Sequence, residues 1–202
     1  MTDVRIVGFV LLAAIPLMVI EASGYVPARF DSAFWRLPLA EKLPRIAAQE
    51  RRWMRMARVW IAIPIVVATG LLAGAVVALG VDPWVWLGAG VAVVVAAAAV
   101  VLFSVQGAAI ADAARRGSVP DWLEPVWSAL SDLERTYIIG TSLASILIGI
   151  GLLDGSVLAS WVAWSLIVGP GLVTAAALLT DLFFPHMALL GPLLLGVGMV
   201  LS

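Results

Sequence analysis

Residues 82–117 read DPWVWLGAGVAVVVAAAAVVLFSVQGAAIADAARRG. No charged side chain occurs between Asp82 and Asp112, and the segment closes on Arg115, Arg116 and Gly117. A helix needs about 20 apolar residues, at ~1.5 Å each, to cross a ~30 Å hydrocarbon core. Residues 84–104 meet that requirement alone. Nothing from Ser104 to Arg116 breaks a helix, so this one is expected to overshoot the membrane and stop at a basic last turn followed by a C′ glycine.

Working outward, five more apolar stretches qualify, at about 4–22, 59–81, 136–153, 157–180 and 183–201. The fold class is therefore an all-α, polytopic integral membrane protein with six transmembrane helices. The spans leave no room for a separate soluble unit, so 1–202 reads as a single transmembrane helical domain. Composition agrees: 63% hydrophobic and 12% charged residues, with a mean hydropathy of +1.09, exceed what a soluble chain of this length carries. Arg5, the run Ile6–Ile20 and Ala22-Ser23-Gly24 resemble a secretory signal. Cleavage there would leave a strongly basic loop outside, so 4–22 is read as a retained first span.

Eleven of the twelve basic residues fall in the intervals 24–58 and 105–135. Threading six spans puts both intervals, and the turn at 180–186, on one side. Both termini, Asp82-Pro83 and Asp154-Gly155 fall on the other, with only Arg5. Cytoplasmic loops concentrate Lys and Arg, so the expectation is N-out and C-out in the plasma membrane. The 24–58 interval has eight basic against three acidic residues and suits anionic lipid headgroups, rather than nucleic acid.

Within it, Gly24–Pro38 reads as irregular. From about Arg45 a helix is expected to run without a break into the second span. Ser118-Val119-Pro120-Asp121 reads as a new helix start with Ser118 as cap. Trp122, Val126, Ala129, Leu130 and Leu133 follow at helical spacing, predicting an amphipathic interfacial helix that leads into the fourth span.

Arg58, Trp60, Ile61, Trp84 and Val85 match Arg135, Tyr137, Ile138, Trp161 and Val162 at an offset of 77 residues. Chance similarity between apolar spans is the preferred reading over duplication. Gly70 and Gly74 form a GxxxG, and Thr141, Ser145 and Gly149 share a stripe. Packing inside the monomer is preferred to a dimer seam, although an oligomer is compatible. Pro16, Pro64, Pro170 and Pro192 lie inside spans and are expected to kink them.

The chain has no cysteine and one histidine, which excludes disulfides, thiol catalysis, iron–sulfur clusters and bis-histidine haem ligation. No metal site and no cofactor is expected. No span carries an ionisable group near its centre, which weighs against ion-coupled transport and voltage sensing. Polar candidates collect at the cytoplasmic span ends instead: Glu21, Gln106, Asp112, Tyr137, Asp181 and His186. Aromatics show the same bias. Glu21, Asp181 and His186 are the candidate catalytic groups. Trp35, Trp53, Trp60, Phe103, Gln106, Trp127, Tyr137 and Phe184 are the candidate substrate-binding residues.

The bland reading is that Glu21 and Asp181 neutralise the basic loop through Arg51, Arg52 or Arg55, with His186 a polar interface residue. The sharper reading is a membrane-embedded enzyme using acid/base chemistry on a hydrophobic isoprenoid or lipid substrate, as in protonation-initiated cyclisation or isomerisation. It needs no metal, thiol or cofactor domain. The DxDD and DDxxD motifs of soluble terpene cyclases are absent. A transporter or binding protein for a small apolar molecule, or a non-catalytic accessory subunit, is the alternative.

Overall fold

A computed structural model describes residues 3–28, 34, 37–77, 82–154, 158–180 and 185–202, without the side chains of 22–28 and Pro185. The described residues form helices and no strand: α1 (Asp3–Leu12), α2 (Ala14–Ala28), α3 (Leu39–Ala47), α4 (Glu50–Val77), α5 (Pro83–Arg116), α6 (Leu123–Leu152) and α7 (Ser160–Thr180). A 3-10 turn (Pro185–Leu189) then leads into α8 (Leu190–Leu201). Five helical stretches are long and apolar enough to cross a membrane, and His186–Leu201 is a shorter apolar helix. This is a multi-pass helical membrane protein.

The stretch that decides the fold behaves as its sequence dictates. Asp82 caps α5, its Oδ1 accepting from the N–H groups of Trp84 (2.8 Å) and Val85 (3.3 Å), with Pro83 in the first turn. Gly117 closes the helix in the left-handed region at φ 66°, which a residue without Cβ adopts freely. The intervening 34 residues span about 51 Å, well beyond a hydrocarbon core.

Close approaches fix how the helices run. Leu11 packs on Gly70 and Glu21 meets Trp60, so α1–α2 is antiparallel to α4. Ala57 packs on Gly107 and Trp60 on Phe103, which makes α4 and α5 antiparallel. Gly88 lies against Ala144 and Ile148 while Phe103 meets Tyr137, reversing α6 relative to α5. Gly149 touches Ala163 and Ile167; Gly198 touches Val162 and Gly169 touches Leu190. The chain therefore alternates up and down through to α8, which lies antiparallel to α1. There the backbones nearly touch: a Cβ at Gly8 would sit 2.8 Å from the Gly196 carbonyl, and one at Gly196 would sit 3.1 Å from that of Gly8.

Alternation gives the bundle two ends. One holds the start of α1, Asp82, Leu152 and the end of α8. The other holds Glu21, α3, the α5–α6 turn and the 3-10 turn. Each end has its own apolar core, one around Leu11, Leu71, Val85, Ile148 and Met199, the other around Ile46, Trp53, Leu102, Ile110 and Ile138.

Several local expectations are corrected. The helix from Arg45 does not continue unbroken; the chain turns at Ala48–Gln49, and α3 folds onto α5 with Leu39, Leu43 and Ile46 buried. Ser118 caps nothing. Proline disfavours helical geometry at the residue before it, so Val119 is not helical and α6 begins at Leu123, with no side-chain cap at Trp122. The expected interfacial helix is therefore no separate element but the first turns of the 30-residue α6. Of the spans' prolines, Pro16 marks a break at Ala13, one helical turn upstream. Pro64 and Pro170 lie inside unbroken helices, and Pro192 occupies the first turn of α8.

The 77-residue repeat is matched in environment at its far end: Trp84 and Trp161 are both exposed, Val85 and Val162 both buried. Gly70 and Gly149 pack against other helices of the same chain.

Candidate functional site

α2 continues beyond its apolar run, so Glu21 sits on a helix and not in a loop, and it faces the interior while Ile20 beside it is exposed. The carboxylate is 2% exposed. Ionised oxygens in such surroundings require donors, and two are supplied from distant segments. Trp60 on α4 donates its Nε1–H to Oε1 at 2.5 Å, and Nε2 of His186 lies 3.1 Å from Oε2. Imidazole donates to a carboxylate in this contact; a neutral carboxyl group can instead donate to an unprotonated Nε2. Among the described residues, Glu21 does not form the pairing with Arg51, Arg52 or Arg55 expected on the bland reading; Asp181 lies outside them. Glu21 is held by an indole and an imidazole, while among the described residues Arg115 pairs with Glu50 and Asp112, Arg116 with Asp112, and Arg135 with Asp132.

These groups face a cavity of about 20 Å³ lined by Glu21, Trp60, Ile63, Pro64, Phe103, Tyr137, His186 and Leu189. That is room for one water-sized group. His186 is 43% exposed, so it links the buried carboxylate to the outside. Aromatic rings run through the site in edge and tilted contacts: Trp53 to Trp60 at 5.4 Å, Trp60 to Phe103 at 6.0 Å, Phe103 to Tyr137 at 6.2 Å. Trp53 is pinned by a hydrogen bond from its Nε1 to the Gly107 carbonyl, 3.2 Å.

Five of the residues singled out in the sequence thus meet around one cavity: Glu21, His186, Trp60, Phe103 and Tyr137. Trp53 stands behind Trp60. Gln106 is buried on α5 but does not line the cavity, and its Oε1 has no hydrogen-bond partner among the described residues. Trp127 serves elsewhere, its ring 5.1 Å from the ammonium of buried Lys42. Trp35, Asp181 and Phe184 lie outside the described residues.

Glu134 was missed. It sits one turn before Tyr137 on α6 and interacts through space with His186 and Arg135, giving the imidazole a second carboxylate. The available signal was its i, i+3 spacing to Tyr137, hidden because 123–135 read as a surface helix. No cluster of three or more metal-ligating side chains occurs among the described residues.

The arrangement can hold a proton on either side of a 3.1 Å carboxyl–imidazole contact and present it to a small apolar cavity. No family model, curated protein or solved structure matches this chain.

Proposed function

We propose that the chain is a six-span plasma-membrane enzyme, with both termini outside, that moves protons on an isoprenoid or other lipid entering from the cytoplasmic leaflet. The observation that carries the catalytic reading is the buried Glu21 carboxylate, bonded to Trp60 and His186 at the wall of an aromatic cavity. In its acid form Glu21 gives a proton to one carbon of a double bond. The resulting cation faces the rings of Trp60 and Phe103. Glu21 then recovers a proton from a neighbouring carbon, so the double bond has moved and no proton is consumed. Half-exposed His186 exchanges protons between Glu21 and the membrane surface. The cavity holds one water-sized group as it stands, so the double bond enters only as the walls part, and the hydrocarbon tail stays among lipids.

The six-span topology is supported by the antiparallel run of α8 along α1–α2, from Gly8 beside Gly196 to Glu21 beside His186. A five-residue 3-10 turn and the 12-residue α8 together extend about 28 Å. Orientation follows from Lys42, Arg45, Arg51, Arg52, Arg55, Arg58, Arg115, Arg116 and Arg135 at the Glu21 end, against Arg5 at the other. The same basic end suits anionic headgroups.

Purified protein in vesicles of host lipid, incubated in D2O, tests the reading. Non-exchangeable deuterium should enter a lipid species, and Glu21→Gln should lower the rate by about 10²-fold, the usual scale for a lost general acid. Asp181→Asn in the same assay tests the other candidate acid. Wild-type protein that labels no lipid would remove the enzymatic reading in favour of binding or transport, which need only the cavity.

A further inference from the structure

The Tyr137 ring is held on edge against Phe103, and the residue is 3% exposed. It lines the Glu21 cavity, and its hydroxyl has no hydrogen-bond partner among the described residues. Every other polar side chain at this cavity is engaged: the Trp60 N–H and the His186 Nε2 by Glu21, both Glu21 oxygens in return. The Thr141 hydroxyl, one turn along α6, donates to the Tyr137 carbonyl at 2.8 Å; it acts electrostatically on the phenol but does not reach it within hydrogen-bond geometry. Buried hydroxyls are nearly always hydrogen-bonded. A phenol is a neutral donor with lone pairs of its own, so it matches a carbonyl or hydroxyl oxygen and gains nothing from a bare hydrocarbon.

We infer that the substrate carries an oxygen function, an alcohol or a carbonyl, beside its reacting carbons, and that Tyr137 binds that oxygen and sets specificity for oxygenated over hydrocarbon chains. This rests on the acid–base reading of the same cavity for its chemistry, but the oxygen site is testable alone. An oxygen held by Tyr137 fixes which carbon faces Glu21. The one water-sized space takes the oxygen, and the carbons beside it enter only as the apolar walls part.

Three probes of one skeleton separate the possibilities: farnesol, farnesal labelled with ¹³C at its carbonyl, and farnesene. Binding is measured in nanodiscs at equal mole fraction in the lipid. The alcohol and aldehyde should bind about ten-fold tighter than the hydrocarbon, the scale of one buried hydrogen bond. The bound aldehyde should show a carbonyl stretch shifted to lower frequency. Tyr137→Phe keeps the ring against Phe103, and should remove both the preference and the shift. Should that variant not fold, the wild-type comparison and the infrared band decide by themselves. Equal binding of farnesene, as expected if a lone water satisfies the phenol, or no binding of any probe, would overturn the oxygen site. Deuterium labelling without oxygen preference would leave the acid–base reading standing, and oxygen preference without labelling would do the reverse.

Discussion

Replacing Glu21 by leucine should destabilise the protein more than any change at the exposed basic end, and the geometry gives the scale. The carboxylate joins α2 to α4 through the Trp60 indole and to the 3-10 turn through His186. A hydrogen bond to a charged group contributes about 1.5–3 kcal/mol. The indole bond lies wholly inside, with Trp60 6% exposed, and keeps that value. The His186 contact reaches the surface and is discounted to about 1 kcal/mol or less. Glu21→Leu should therefore cost about 2–4 kcal/mol. Glu21→Gln keeps a carbonyl acceptor for the indole and should cost about half as much. In a double-mutant cycle with Trp60→Phe the coupling should be about 1.5–3 kcal/mol. The assay is reversible unfolding in mixed detergent micelles, followed by tryptophan fluorescence and circular dichroism. A leucine variant within 0.5 kcal/mol of wild type, together with a coupling near zero, would show that the carboxylate ties nothing together.

Gly8→Ala should cost about 1–3 kcal/mol in the same assay, because the new methyl meets the Gly196 carbonyl at 2.8 Å. Gly90→Ala, with nothing within 4 Å, should be neutral or stabilising; equal losses at both sites would contradict the α1–α8 crossing. Lys42 on α3 is buried, and burial holds its pKa below the usual lysine value. The unfolded chain therefore takes up the proton first as pH falls, so this residue weakens the fold at neutral pH and not above the ordinary lysine range. Lys42→Met should raise the melting temperature at pH 7 by more than at about pH 10, and a pH-independent difference would refute that account. A cysteine placed at Asp154 in this cysteine-free chain should react with an impermeant reagent on intact cells; reaction only after permeabilisation would invert the orientation.

Much of the fold was legible in the sequence because membrane spans are set by local quantities. Hydrocarbon thickness fixes the length of an apolar run, and α5 could be read from Pro83 to its glycine stop without knowledge of any neighbour. That Glu21, Tyr137 and His186 come to one level was legible too, since alternation brings span ends together; that the carboxylate bonds to the imidazole and an indole instead of an arginine was not. Which faces of the helices meet was not, because composition is nearly uniform around an apolar helix and the register depends on backbone approaches such as Gly8 with Gly196. That rotation let Glu134 act electrostatically on the imidazole and set Tyr137 in the cavity wall. It also sent Trp127 to Lys42 instead of the site, and folded α3 onto α5 where the sequence read one continuous helix. Span lengths and polarity ends come from each segment's own chemistry, whereas the identity of the residues around the cavity is a property of α2, α4, α5, α6 and the 3-10 turn packed together.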